Sequence, residues 1–147
     1  MREVRLYTIG FTKKTAEEFF TILRGGHVTT LIDVRLNNVS QLAGFTKRDD
    51  LAFFLREICE CDYRHEPALA PTQAILDAYK KKAMDWTEYE ARFSALLRER
   101  QPEDHINLAT LDQACLLCSE PKADKCHRRL VAEYFRSKLG HIEIVHL

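Results

Sequence analysis

No stretch of this sequence stays apolar for the ~18 residues that suggest a membrane span. Neither sign of charge is in excess: 22 Lys and Arg face 22 Asp and Glu. That balance argues against binding to nucleic acid through a generally basic surface, while leaving room for a local basic patch. The first residues run directly into a strand-like segment, with no signal-peptide core before it, so a cytoplasmic protein is expected. Five cysteines are an odd and unevenly spaced set. In a chain of 147 residues, long enough to bury a core of its own, they suggest reduced thiols rather than a disulfide framework. Repeats, low-complexity tracts and linkers are absent, and residues 1–147 read as a single α/β domain.

What is present is an alternation of strand and helix signals. Residues 4–9 form a first strand ending at Gly10, and Thr12 or Thr15 can cap a helix carrying Phe19, Phe20, Ile22 and Leu23. That helix stops at Gly25-Gly26, and residues 29–34 form a second strand whose continuous apolar centre suits a parallel sheet covered on both faces. Strand, helix and strand make a right-handed βαβ unit. Residues 36–46 read as a loop, 47–60 as a helix and 62–65 as a short strand. Residues 72–100 are helical in two pieces broken near Met84-Asp85-Trp86, 114–118 form a strand, 126–138 a helix ended by Gly140, and 142–145 a last strand. The expected fold class is α/β, with a mostly parallel sheet flanked by helices. Such sheets bind ligands beyond the carboxyl ends of their strands. That rule points to Gly10-Phe11-Thr12, Asp33-Val34-Arg35 and Cys118-Ser119-Glu120.

Reactive residue types concentrate at the last of these. Cys118 and Glu120 share a face if the strand geometry continues, and Cys126-His127-Arg128-Arg129 opens a helix six residues later. A helix start favours a bound anion or a thiolate and can lower a cysteine pKa. His127 can act as the base and Arg128 as an oxyanion or phosphate clamp. The bland alternative is a buried Cys118, a solvated His127 and an Arg128 paired with a carboxylate. Cys115, Cys118, Cys126 and His127 also have ligand types suited to zinc. Against a four-ligand site, Cys115 and Cys118 point to opposite faces of a strand, and adjacent Cys126 and His127 are poorly placed to share one ion. Cys115 is then a small core residue, and no metal or other cofactor is assigned.

Asp33 and Arg35 close the second strand. Arg35 can hold an anionic substrate while Asp33 orients it or acts as a base; equally, the two can form an internal ion pair that shapes the next loop. Ser40 can donate to an anion or cap the backbone. His65, in Tyr63-Arg64-His65, is read as structural, as are Cys59 and Cys61. Tyr79, Trp86, Tyr89 and Phe93 have the spacing of a stripe that packs along helices, and Lys80-Lys81-Lys82 reads as a solvated helix end.

Together, Thr8-Ile9-Gly10, Asp33-Val34-Arg35 with Ser40, and Leu117-Cys118-Ser119-Glu120 followed by Cys126-His127-Arg128 resemble the family called domain of unknown function 488. Ser40-Gln41-Leu42-Ala43-Gly44-Phe45 and Leu69-Ala70-Pro71-Thr72 look like one subgroup of it. The resemblance runs from about Tyr7 to Tyr134 and implies a small α/β domain of prokaryotic type with no established activity. The family signature uses the counterparts of Cys118, Glu120, Cys126, His127 and Arg128, but not of Cys115. Phe11 stands where many members have His, so no base is available at that position, and Asn38 stands where many have Pro.

The leading expectation is an enzyme for a small anionic or nucleotide-like substrate. Cys118 or Cys126 would be the nucleophile or redox thiol, His127 and Glu120 would handle protons, and Gly10, Thr12, Asp33, Arg35, Ser40 and Arg128 would bind substrate. Two rivals stand beside it. One is a module binding phosphate in a nucleotide or nucleic acid through Arg35, Arg64, Arg128 and Arg129; the other is a metal site on Cys118, Cys126 and His127. A disulfide between Cys118 and Cys126 needs their Cβ atoms within ~4.5 Å.

Overall fold

The computed structural model describes residues 3–38, 44–119, 123 and 125–147. Its centre is a five-stranded sheet of β1 (Val4–Gly10), β2 (Thr30–Asp33), β3 (Asp62–His65), β4 (Ala114–Cys118) and β5 (Ile142–His146), in the order β3-β2-β4-β1-β5. Every pairing is parallel, so the expected mostly parallel sheet is parallel throughout. Among the described residues, six α-helices surround it: α1 (Ala16–Gly25), α2 (Arg48–Phe54), α3 (Gln73–Lys80), α4 (Trp86–Arg100), α5 (Leu108–Leu111) and α6 (His127–Leu139).

The period-two alternation of the central strand divides the core. Ala114, Leu116 and Cys118 face the side covered by α4 and α6, where Tyr89, Phe93, Leu97, Leu130, Val131 and Phe135 are buried. Cys115 and Leu117 face the opposite side, against Phe19, Phe20 and Leu23 of α1 and Leu51 of α2. All five residues of β4 are buried, as a strand sandwiched between two helical layers requires.

Local chemistry sets most of the boundaries. Of the two candidate caps for α1, Thr15 is used: its hydroxyl accepts from Glu18 N at 3.1 Å and the Glu18 carboxylate accepts from Thr15 N at 3.2 Å, a reciprocal capping box. Asp85 ends the break between α3 and α4 by accepting from Glu88 N at 2.9 Å. Gly140 follows α6 at φ 66°, backbone that favours glycine.

The helix expected over 47–60 is α-helical only to Phe54, then widens into a π-helical turn, Leu55–Cys59, closed by Glu60 N donating to Leu55 O. One extra residue per turn leaves almost no trace in apolar spacing. The short α5, capped by Asn107, was also missed, because four residues are too few to show a period. The expected loop 36–46 includes a 3-10 turn, Gly44–Thr46; residues 39–43, including Ser40, lie outside the described residues.

Candidate active site at the carboxyl ends of the central strands

Register brings the three strand ends together. Gly10 pairs with Cys118, Asp33 pairs with Leu117, and Val34 N donates to Leu117 O at 3.1 Å. Beyond β1, Phe11 N and Thr12 N continue the contact by donating to Cys118 O and Ser119 O at 3.3 and 3.0 Å. Cys126, at the start of α6, lies against the same edge as Cys118.

That placement assembles a cluster of Cys118, Cys126 and His127, all buried, with their sulfur and ring-nitrogen atoms within 4.8 Å of one another. Here the structure corrects the expectation that adjacent Cys126 and His127 are poorly placed to share one ion. Cys126 is an extended N-cap residue, at φ −139° and ψ 140°, whereas His127 is the first helical residue. The change of backbone conformation between them lets both side chains reach Cys118. Cys115, fully buried on the other face of the sheet, takes no part.

The hydrogen bonds of His127 define its tautomer. Nε2 lies 2.7 Å from Val34 O, and a carbonyl can only accept, so Nε2 carries the proton. Cys118 Sγ lies 3.4 Å from Nδ1 and 3.9 Å from Nε2, beside the imidazole. Phe93 of α4 holds the imidazole edge-on, with ring centroids 5.5 Å apart. A sulfur nucleophile, an imidazole in reach of it and a third group fixing the imidazole form the arrangement that activates cysteine in thiol enzymes.

Cys126 behaves differently from the lowered thiol expected at a helix start. Its hydrogen bond to Cys118, followed by burial, raises its pKa, outweighing the opposing charges of His127 and Arg128. Two sulfurs this close resist ionising together, so Cys126 stays a thiol and can donate to its neighbour. Both are free cysteines.

Asp33 and Arg35 form the internal ion pair that was one of their two readings. Arg35 Nε and Nη2 donate to the two Asp33 carboxylate oxygens at 2.8 and 2.7 Å, and Nη2 also donates to Thr46 O at 2.7 Å. Tyr63 donates to Asp33 at 2.6 Å, and burial followed by that bond raises the Tyr63 pKa. Asn38 Nδ2 donates to Tyr63 at 3.0 Å, and His65 binds the Arg35 carbonyl oxygen at 2.8 Å. His65 is thus structural. Arg35 is 3% exposed, its guanidinium lies 5.4 Å from the centre of the Phe11 ring, and its Nη1 has no hydrogen-bond partner among the described residues.

The cluster opens into a cavity of about 420 Å³, lined by Arg35, Cys118, Ser119, Cys126 and His127 on the sheet side. Pro71, Tyr79, Lys80, Trp86 and Tyr89 line the side of α3 and α4, and Lys125 lies at the start of α6. Of the expected site residues, the structure therefore brings Cys118, Cys126, His127 and Arg35 to one cavity, with Asp33 behind Arg35. Gly10 is buried and accepts from Lys14 Nζ at 2.7 Å, while Thr12 is exposed; neither lines the cavity. Arg128 is buried below, its Nε donating to Thr8 Oγ1 at 3.2 Å, and Thr8 lies 2.6 Å from His146 Nδ1. Glu120 and Ser40 lie outside the described residues. Tyr79, Trp86, Tyr89 and Phe93 do pack as a core stripe, but that the first three also line the cavity was missed, because helical spacing of aromatics reads the same for a core or a cavity.

A parallel α/β sheet with a buried Cys–His pair at the carboxyl ends of its central strands defines the general class. The chain belongs to the family described as Domain of unknown function DUF488, which matches residues 15–135 and so takes in β2, β3, β4 and the first two thirds of α6. No curated protein and no solved structure matches the chain. Among the described residues, no helix is long and apolar enough to cross a membrane.

Proposed function

We propose that this protein is an enzyme acting on a small anionic or nucleotide-like substrate, with Cys118 as its nucleophile and His127 as its general base. The observation that carries this reading is the setting of His127: Nε2–H is held by Val34 O at 2.7 Å, and Nδ1 lies 3.4 Å from Cys118 Sγ. Transfer of the thiol proton to Nδ1 leaves a thiolate beside an imidazolium whose other N–H remains bound to a carbonyl. Cys126 donates to that thiolate as a neutral thiol. The thiolate attacks an electrophilic centre, and His127 returns its proton to the leaving group as that bond breaks. Glu120, two residues beyond Cys118, keeps the proton-handling role inferred from the sequence.

Substrate charge is met by Arg35 Nη1, by Lys125 and by the first turn of α6. A nucleic-acid surface is less well supported, because basic residues it would use are engaged within the chain: Arg64 pairs with Glu66, and Arg129 with Glu90 and Glu133.

The test is alkylation of the native protein across pH, read cysteine by cysteine by mass spectrometry, with metal measured on the same sample. Cys118 should react well below pH ~8, and His127→Gln should remove that advantage. Labelling of Cys118 no faster than in the unfolded chain would refute the reading.

One observation favours a second reading, a metal held by Cys118, Cys126 and His127. An imidazole whose far N–H is fixed by a backbone carbonyl is also the arrangement of a metal-bound histidine, and three such ligands facing a cavity leave a position open. Stoichiometric metal, with thiols that label only after chelation, would select it.

A further inference from the structure

The cavity beside Cys118 has two chemically distinct walls. The sheet wall is cationic and polar; the helical wall is aromatic. Trp86 stacks on Tyr89 with ring centroids 5.0 Å apart and planes 17° from parallel, and Tyr79 meets both, at 5.9 and 5.0 Å. Tyr89 is buried, but Tyr79 and Trp86 are only partly so, which leaves aromatic surface bare at the wall. Among the described residues, the lining includes Arg35, Lys80 and Lys125 but no carboxylate, in a chain whose net charge is zero. Cations are therefore gathered here rather than spread evenly.

A second observation points to an anion. Arg35 is 3% exposed, yet one of its guanidinium nitrogens, Nη1, has no partner among the described residues while the others are engaged. Burying such a donor unpaired is unfavourable, and native proteins rarely tolerate it without a ligand or a functional reason. The volume of about 420 Å³ falls within the range of small-molecule sites, ~300–1,000 Å³.

We infer that the substrate is a nucleoside monophosphate, its base lying against Trp86 and Tyr79 and its phosphate turned toward Arg35, Lys125 and the start of α6. This rests on the cavity being the catalytic site, and it narrows the small anionic substrate to one with a planar ring. Aromatic side chains stack on any base, so the wall selects for a ring without dictating which one. Phosphate brings several acceptor oxygens to the N–H groups at the start of α6, to Arg35 Nη1 and to the Lys125 ammonium.

Trp86 is the chain's one tryptophan, so its fluorescence reports this cavity alone. Titration of the whole protein with AMP, GMP and UMP should quench it saturably, and calorimetry should give matching affinities. Ribose 5-phosphate, inorganic phosphate and adenosine should each bind at least about tenfold more weakly than AMP. By calorimetry, Trp86→Leu should weaken AMP about tenfold, Trp86→Phe should restore most of the loss, and Lys125→Ala should flatten the salt dependence. Ribose 5-phosphate binding as well as AMP would overturn the inference, as would adenosine doing so, or no nucleotide binding at ~5 mM, far weaker than a working site needs. Alkylation of Cys118 without ligand separates the two claims. A reactive Cys118 in a protein that binds no nucleotide overturns the substrate class alone; an inert Cys118 in a protein that binds AMP supports the substrate class and removes the thiol chemistry.

Discussion

Replacing Asp33 with alanine tests how the sheet edge beneath the cavity is held. The carboxylate accepts from four donors: Arg35 N at 3.1 Å, Arg35 Nε at 2.8 Å, Arg35 Nη2 at 2.7 Å and Tyr63 Oη at 2.6 Å. Asp33 and Arg35 are 0% and 3% exposed, so water cannot replace the lost acceptor without the site opening. Removing one partner of a buried pair and stranding the other charge costs ~3–5 kcal/mol. For a domain of this size, about 4 kcal/mol corresponds to a fall in Tm of ~8–16 °C. Urea unfolding of Asp33→Ala beside the wild type measures it. An internal control is Asp49→Ala, which breaks an Arg48 pair whose side chains are 52% and 88% exposed; it should cost under ~0.5 kcal/mol. Adding Arg35→Met to Asp33→Ala should recover a large part of the loss, because an apolar side chain of similar length needs no counter-charge. A loss below ~1 kcal/mol for Asp33→Ala, or strict additivity in the double variant, would refute the argument.

Cys61, its thiol pushed up to about 12 chiefly by burial, should carry roughly a thousandfold less thiolate at pH ~8 than a thiol at its ordinary 9.0; labelling of Cys61 as fast as a free thiol would contradict this. Cys126, raised by its bond to Cys118 and by burial, should also label more slowly than Cys118 in the native protein, and the reverse order would show that the charge sits on the other sulfur. Burial and then the Arg128 charge lower the His146 pKa, so the unfolded chain binds this proton more readily than the folded one. The linked stability is complete above pH ~6.5 and is lost as pH falls through the lower folded value; His146→Gln should flatten that decline, and parallel urea midpoints for the two proteins between pH ~7.5 and ~5 would exclude it. Thr15→Ala removes the capping box of α1 and should cost ~1 kcal/mol by thermal unfolding, with no change in Cys118 labelling.

Much of the candidate site was legible in the sequence because strand ends announce themselves locally. Gly10, Asp33 and Cys118 each follow an apolar run, and parallel sheets gather such ends along one edge. Cys115 could be separated from Cys118 by alternation alone, and the two do lie on opposite faces. The aromatic wall was not legible. Tyr79, Trp86 and Tyr89 carry the periodicity of core residues, and only the packing of α3 and α4 leaves a gap between them and β4. Nor did the sequence reveal the direction of the Cys126 shift, which depends on the sulfur of Cys118 lying close by rather than on the helix start that follows it.

The division between chain and fold has a physical basis. Periodicity, caps and turn residues act over three to four positions, so the order of strands and helices, the use of β4 as a buried strand and the start of α6 near Cys126 are written locally. The pairing of His127 Nε2 with Val34 O spans 93 positions, and that of Arg128 Nε with Thr8 Oγ1 spans 120. Contacts at that separation arise only once the whole sheet has closed. They are what hold His127 Nε2 on Val34 O, bury Arg128 and draw Cys118, Cys126 and His127 into one cluster.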